Sequence, residues 1–275
     1  MKSFTLPDSV SGIQIERDST KTAADMPEMH SHPYNELYFL ISGERRYFIG
    51  HTIYDVIPEN VIIIPKNELH KTSTRNNKGY ERYVVYFHDE YISQFDIHEN
   101  KNSSSILSES GCISLPHNIA EAVHTKLNEM HREATRNDMY SEAMLKSIFS
   151  EIIVLVLRYG IKTGAASDSN SDKIQEIARY ICENYEKEIT LSDAAKMAYM
   201  DQTYFSKKFK HLTGFGFCEY LTEIRVNAAA KLLVYTDHSI SKISEKCGFS
   251  SSNYFGDVFK RLKGVSPSEY RKNKS

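Results

Sequence analysis

One phrase occurs twice in this chain, and it limits the folds open to the C-terminal third more than any other feature. Residues 204–214 read YFSKKFKHLTG and residues 254–264 read YFGDVFKRLKG, so Tyr, Phe, Phe, Lys, Leu and Gly return at an offset of 50. The echo extends to Glu219-Tyr220 and Glu269-Tyr270. In each copy two Phe and one Leu fall on one helical stripe (Phe205, Phe209, Leu212; Phe255, Phe259, Leu262), and Gly214 ends the first as helix-terminating glycines do.

Each copy is preceded by a short helical segment and a turn. In the first, Thr190 and Asp193 make a start like a capping box, and Leu191, Ala194, Ala195 and Ala198 point inward. The chain turns at Tyr199-Met200, and Asp201 is a good N-cap for the second helix. In the second copy Ser239 caps a helix with Ile240 and Ile243 inward, Cys247-Gly248-Phe249 turns, and Ser250 is expected to cap. Ser266-Pro267 starts a last short helix. The stretch CEYLTEIRVNAAAKLLVY joins the copies as one long helix. Two helix-turn-helix units on a rigid rod follow. A solenoid is excluded by number, since it needs about three repeats or more.

The outward stripes carry the chemistry. Thr203, Ser206, Lys207 and Lys210 share one face of the first repeated helix. Ser252, Asn253, Gly256, Asp257 and Lys260 face outward on the second. Short polar groups with cations behind them suit a helix in a DNA major groove, and grooves on one face of B-DNA recur about every 34 Å. A solvated helix face with scattered lysines has the same appearance. Charge supports the DNA reading only mildly: residues 172–275 carry 17 Lys+Arg and 13 Asp+Glu, against 17 and 23 in the remainder. The strongly basic signature of many DNA-binding domains is absent.

On these residues the segment 172–272 closely resembles the DNA-binding domain of the AraC/XylS family of bacterial transcription regulators. The matching elements are YFSKKFK…TG…EYL…R (204–225), Ala229 to Leu233, and GFSSSNYF…FKRLKGVSPSEYR (248–271). The resemblance implies sequence-specific binding to asymmetric double-stranded DNA sites, control of transcription with RNA polymerase as a partner, and by family habit an activator. It puts base-facing positions at Thr203, Ser206, Lys207, Ser252, Asn253, Gly256 and Asp257. Gly256-Asp257 departs from the usual small polar residue followed by Arg, which implies that the first unit dominates affinity.

The N-terminal part reads as β. LYFLI (37–41), RYFI (46–49), TIYDV (52–56), VIII (61–64) and YERYVVYF (80–87) are short, aromatic and β-branched, with turns at Ser42-Gly43, Gly50 and Pro58. This pattern predicts a barrel or sandwich. Within it, HSHPYNELYFLISG (30–43) and PKNELH (65–70) resemble the two motifs of the cupin superfamily, a small β-barrel that AraC-type regulators often carry. The first motif matches residue for residue. The second has Asn67 where cupins prefer Gly, and Thr74 where they often have Asn. The resemblance implies a divalent transition metal held by His30, His32, Glu36 and His70, a set suited to Fe, Mn, Ni or Zn. Regulators of this type usually keep the pattern without metal, and the same residues then serve a small-molecule effector together with Tyr38, Tyr47 and Tyr83. Aromatic walls with a few polar groups suit a sugar. They equally suit an ordinary barrel core, as does Tyr54.

Past residue 117 the period becomes helical. Ile119, Val123, Leu127, Met130 and Ala134 define one helix; Ala143, Ser147, Ile148, Ile152, Leu155 and Tyr159 define a second, with a break near Arg136–Asp138. In related regulators such helices form a homodimer contact, and the Ile119–Val123–Leu127–Met130 stripe is the candidate; packing on its own barrel is the alternative. KTGAASDSNS (162–171) reads as a linker. The expected organisation is α+β: a cupin-like sensing domain over 1–161, the linker over 162–171, and an all-α DNA-binding domain over 172–275. The N-terminus MKSFTLPDSV lacks an apolar targeting core, no apolar run approaches membrane-spanning length, and Cys112, Cys182, Cys218 and Cys247 form no CxxC pair. A cytoplasmic, non-enzymatic regulator is the expectation. A metal-dependent cupin enzyme with an attached DNA-binding module, and a regulator controlled by a protein partner, stay open.

Overall fold

Strand alternation sorts the side chains of the N-terminal strands onto two faces, and the architecture follows from that sorting. The computed structural model describes residues 12–22, 25–26, 30–76, 78–95, 107, 109–136, 138–166 and 169–274. The residues read for a targeting segment, 1–10, lie outside them. The chain divides into two units, 1–167 and 168–275.

In the first unit, β1 (Gln14–Thr22), β2 (Asn35–Ser42), β5 (Asn60–Ile64), β7 (Lys78–Phe87), β8 (Gly111–Ser114) and β9 (Ile161–Lys162) form a six-stranded sheet in the order β1-β7-β2-β5-β8-β9. Three further strands, β3 (Arg45–Ile49), β4 (Thr52–Val56) and β6 (His70–Thr74), form a second sheet in the order β4-β3-β6. All pairings are antiparallel. Five of these strands are the segments read above; β1, β6, β8 and β9 are additional.

The larger sheet is buried on both faces. Leu37, Phe39, Val61, Ile63, Tyr83, Val85 and Phe87 point to one core. Tyr38, Leu40, Ile62, Ile64, Val84 and Tyr86 point to the other, which they share with Tyr47, Ile49 and Val56 of the small sheet. Helices α1 (His117–Arg136) and α2 (Ser141–Tyr159) cover the first face. Val123, Leu127 and Met130 are fully buried there. Of the two readings of this stripe, packing on the chain's own sheet is the one seen, with Ile119 partly buried against the same core. The α1–α2 turn is pinned by buried Glu133, which accepts from the Ser141 hydroxyl at 3.1 Å and pairs with Arg136 at 3.2 Å.

The linker is shorter than its composition suggests. Ile161–Lys162 pairs with β8 as β9. Beyond it, the Thr163 N–H donates to Cys112 O at 2.8 Å and the Ala166 N–H to Ile53 O at 2.7 Å. Helix α3 (Ser169–Asn184) already begins within the stretch 162–171. Of that stretch, residues 167–168 lie outside the described ones.

The second unit continues with α4 (Leu191–Met197), α5 (Gln202–Thr213), α6 (Phe217–Tyr235), α7 (Ile240–Lys246), α8 (Ser252–Lys263) and α9 (Pro267–Lys274). Local chemistry sets their ends. Thr190 and Asp193 form a reciprocal capping box on α4, and Asp201 accepts from the N–H groups of Thr203 and Tyr204 on α5. Ser239 caps α7. The cap of α8 is Ser251, one residue later than read, accepting from the Tyr254 N–H. Gly214 and Gly264 end α5 and α8 in the left-handed region. The inter-helix turns use the same region: Tyr199 at φ 55° in the first helix-turn-helix and Gly248 at φ 76° in the second. Two buttresses hold the repeats. Arg225 donates to the carbonyls of Tyr185 and Lys187, each at 2.8 Å, and Arg271 to those of Leu233 and His238 at 3.2 and 2.7 Å. None of the four cysteines is in a disulfide, and the Cys182 thiol lies 3.1 Å from the Tyr220 hydroxyl. Among the described residues no helix is long and apolar enough to cross a membrane.

Candidate functional site

Helix α5 buries Phe205, Phe209 and Leu212, and α8 buries Phe255, Val258 and Phe259. The face opposite each stripe is therefore fixed outward by packing. Thr203, Lys207 and Lys210 are exposed and Ser206 is half-buried; Ser252, Asn253, Asp257 and Lys260 are exposed and Gly256 is half-buried. Seven of the nine positions read as outward are exposed, and Ser206 and Gly256 are half-buried. The sequence reading missed four more: Tyr204, His211, Tyr254 and Arg261 are exposed on the same sides. Tyr204 and Tyr254 open the repeated phrase, and their exposure follows from placing them about 100° from Thr203 and Asn253 on a helical wheel. The α5 surface is basic through Lys207, Lys210 and His211. The α8 surface mixes Asp257 with Lys260 and Arg261.

The first unit holds a separate cluster. His30 bridges to His70 through paired backbone hydrogen bonds of 3.3 and 3.1 Å, which brings the two cupin-like motifs together. One donor atom from each of His30, His32, Glu36 and His70 lies within 4.8 Å of the others. Asn67 takes φ 63°, the left-handed conformation that glycine provides in the motif, and its N–H donates to His32 O at 2.7 Å. The departure in sequence leaves the turn intact, because asparagine tolerates this region. Gly43 closes the first motif at φ 91°, where a Cβ would lie 2.5 Å from Gly79 O.

The protons in this cluster are constrained. His32 Nδ1 lies 2.7 Å from Tyr34 O, and His70 Nδ1 lies 3.0 Å from Glu68 O. A carbonyl only accepts, so both Nδ1 atoms carry hydrogen. The two Nε2 atoms then face the same carboxylate oxygen, Glu36 Oε2, at 3.2 and 3.6 Å. Burial alone would raise the Glu36 pKa; with a second proton on Nε2, His32 and His70 donate to the carboxylate and hold it well below the usual range. Either additional protons or a cation must separate these converging acceptors. Imidazoles anchored through Nδ1–H to carbonyls, with Nε2 turned to a common point, are the arrangement of metal-bound histidines. Tetrahedral donors at about 2.1 Å from an ion sit about 3.4 Å apart, close to the spacings seen. The residues fit a divalent metal.

Beside this cluster lies the interior between the two sheets. Tyr38 and Tyr47 are fully buried, their rings 5.0 Å apart, and neither hydroxyl has a hydrogen-bond partner among the described residues. Burial pushes the Tyr38 phenol up to about 12 and that of Tyr47 well above its ordinary value, so both keep their protons. Two buried arginines complete the wall: Arg82 lies 5.5 Å from the Tyr38 ring and 5.4 Å from the Tyr80 ring, and Arg45 lies 4.4 Å from the Tyr80 ring. The structure does not bring Tyr83 to this interior. It pairs with Phe39 in register, faces α1, and donates to Asn128 Oδ1 at 2.7 Å. One residue of strand alternation separates it from the face read for it. Tyr54 lies partly buried against the interior. Arg45 and Arg82 were missed, because buried arginines on strands carry no local signal of which face they take.

Comparison with known proteins gives two family matches. Residues 17–156 match an AraC-like ligand binding domain, and residues 194–273 match a helix-turn-helix domain. The chain is similar to the HTH-type transcriptional activator RhaR of Mannheimia succiniciproducens, 24% identical over 249 residues, covering 88% of this chain and 86% of that one. It is 34% identical over 110 residues to the regulatory protein PocR of Salmonella typhimurium, a match covering 40% of this chain and 36% of that one. Among solved structures, ToxT from Vibrio cholerae covers 95% of this chain and 98% of its own, with 18% identity and a TM-score of 0.38. The C-terminal domain of AraT from Geobacillus stearothermophilus covers 37% of this chain and 84% of its own, with 32% identity and a TM-score of 0.36.

Proposed function

Because this chain belongs to the AraC family of transcription regulators, we propose that it activates transcription from asymmetric DNA sites in response to a small hydroxyl-bearing molecule, such as a sugar, bound between its two sheets. The chain is a regulator and not an enzyme. Its helix-turn-helix domain binds double-stranded DNA. RNA polymerase is the downstream partner that family membership supplies, and bacterial cytoplasm is where such a partner and DNA meet.

The observation that carries the effector reading is the pair of buried hydroxyls on Tyr38 and Tyr47 without partners. Leaving such groups unsatisfied costs about 1–3 kcal/mol each, and a ligand hydroxyl or ring oxygen between them offsets that cost. The ligand must also bind two arrangements of the chain unequally, since only differential affinity shifts an equilibrium. The test pairs two measurements on the full chain. Genomic fragments recovered by the protein, with and without cell extract, are sequenced; enrichment of a few sites of about two helical turns supports the reading. A sugar panel is then screened by thermal shift. A stabilising sugar whose effect vanishes in Tyr47→Phe places the effector in the barrel, and an unchanged shift in that variant refutes this placement.

The converging imidazoles favour a second reading, in which a divalent ion at His30, His32, Glu36 and His70 is part of the signal. Such an ion supplies a Lewis-acidic point that orients an oxygen-bearing effector. The chain's own contribution is the fixed Nδ1–H of His32 and His70, which presents both Nε2 lone pairs toward Glu36. Homodimerisation through the sensing unit requires a surface other than the buried face of α1.

A further inference from the structure

Lys207 and Asp257 occupy the same place in the two copies of the repeated helix, and both are exposed. Their preceding neighbours, Ser206 and Gly256, also correspond. The two outward faces therefore differ at their centres by a reversal of charge.

Two observations separate Gly256-Asp257 from an ordinary solvated turn. The fold does not require a glycine at 256. Its φ is not positive, and a Cβ built there meets no heavy atom within 4 Å. A glycine inside a helix is less stable than alanine, so this one is retained at a cost that packing and backbone conformation do not explain. Close approach of an outside surface to the helix backbone does explain it. The second observation concerns Asp257. Lys260 and Arg261 follow it at three and four residues, the spacing at which helical ion pairs form. Lys242 and Glu245 use that spacing at 2.8 Å. Asp257 makes no such pair among the described residues, and its carboxylate is presented outward.

We propose that Asp257 is a specificity-determining residue that reads cytosine in the major groove, with Gly256 allowing α8 to approach the base edges closely. The inference rests on the reading that α5 and α8 are both groove helices. A carboxylate is repelled by phosphates and by the acceptor atoms of guanine and thymine. Cytosine offers its N4 amino group as a donor with no acceptor on its own major-groove edge; adenine offers N6 but carries N7 on the same edge. Cytosine is the edge that fits. Lys207, at the same place in the first copy, fits the O6 and N7 acceptors of guanine. The two halves of the DNA site are then read with opposite donor and acceptor patterns, which fixes the orientation of the protein on the site.

The test is selection of randomised duplexes by the full chain, followed by sequencing, for the wild type, Asp257→Asn and Gly256→Ala. The wild type is expected to hold cytosine at one fixed position of the second half-site. Asp257→Asn moves that preference to adenine by about fivefold or more, because asparagine pairs with N6 and N7, and leaves the first half-site unchanged. Gly256→Ala is expected to melt a few degrees higher while binding the selected duplex several-fold more weakly. An Asp257→Asn chain with the wild-type preference overturns the assignment of Asp257. A Gly256→Ala chain that gains stability and keeps full affinity overturns the role of Gly256. If the wild type selects no sequence at all, the groove reading fails, and this inference with it.

Discussion

The turn of the second helix-turn-helix gives the most demanding prediction, because one methyl group there opposes three identified atoms. Gly248 sits at φ 76°, and a Cβ on it would lie 2.7 Å from Glu186 O, 2.9 Å from Tyr185 O and 2.9 Å from Arg225 Nη2. Placing alanine in the left-handed region costs about 1–2 kcal/mol. The contacts cannot relax freely, since two of the three atoms are backbone. Arg225 is itself committed at 2.8 Å to Tyr185 O and Lys187 O. Loss of one such charged hydrogen bond adds about 1.5–3 kcal/mol. Gly248→Ala should therefore destabilise the second unit by about 3 kcal/mol or more, roughly a 10–20 °C fall in its melting temperature. The matching residue of the first unit, Tyr199, already takes φ 55° with its side chain 89% exposed. Tyr199→Gly should change stability by less than about 1 kcal/mol, because relief of backbone strain offsets the added entropy of the unfolded chain. Calorimetry on the full chain, using the transition that rises when target DNA is added, reports both. A Gly248→Ala protein melting with the wild type would refute the argument, for it would mean that the turn and the Arg225 brace can move apart without consequence.

Other expectations are simpler. After dialysis against a divalent metal such as nickel or zinc, the full chain should retain about one ion as measured by elemental analysis, and His32→Ala should retain none; equal retention by both would place the ion elsewhere. Lys207→Ala should weaken DNA binding and lower the slope of log affinity against log salt by about one, measured by titration at several ionic strengths; an unchanged affinity would mean the outward face of α5 is not the DNA-facing one. The hydroxyl and N–H of Thr190 hold the Asp193 carboxyl below its ordinary value. A depressed carboxyl pKa gives stability that is present above the unfolded value of about 3.9 and is lost as the pH falls through the folded one. Acid melts of Asp193→Asn should accordingly be flatter than those of the wild type below about pH 4.

What the sequence disclosed and what it withheld divide along a physical line. The helix-turn-helix units were legible because their determinants are local. A cap and the N–H it accepts are two or three residues apart, as at Asp201 and Thr190, and a helical stripe names its own opposite face. The cap of α8 slipped by one residue because Ser250, Ser251 and Ser252 are chemically equivalent, and only the packing of Phe255 chooses among them. Strand faces were less legible. β7 is buried on both sides over Tyr83–Phe87, so its own residues do not say which side meets the barrel interior. Pairing with β2 decides it, by placing Tyr83 beside Phe39 and Val84 beside Tyr38. The buried face of α1 was ambiguous for a related reason: an apolar stripe states that it is covered and is silent about what covers it.

The boundary between the two units falls inside 162–171, and what composition does not disclose there is how the segment is attached. KTGAASDSNS has the composition of a free linker. Beside the Lys162–Glu109 ion pair and the Thr163 hydroxyl bond to Cys112 O, its attachments are made by the backbone, whose donors and acceptors are the same in every residue but proline. β9 extends the exposed edge left by β8, and the N–H groups of Thr163 and Ala166 then find Cys112 O and Ile53 O. Sheet edges are templates of this kind for any extended chain. The carbonyls that hold the segment belong to β8 and β4, and β4 pairs with β3, where Tyr54 lies opposite Tyr47. Ala166 is thus bonded at Ile53, whose neighbour Tyr54 lies opposite Tyr47, a tyrosine of the proposed effector site. Under the proposed function, a ligand that moves Tyr47 acts on β3, which pairs with the strand that holds Ala166.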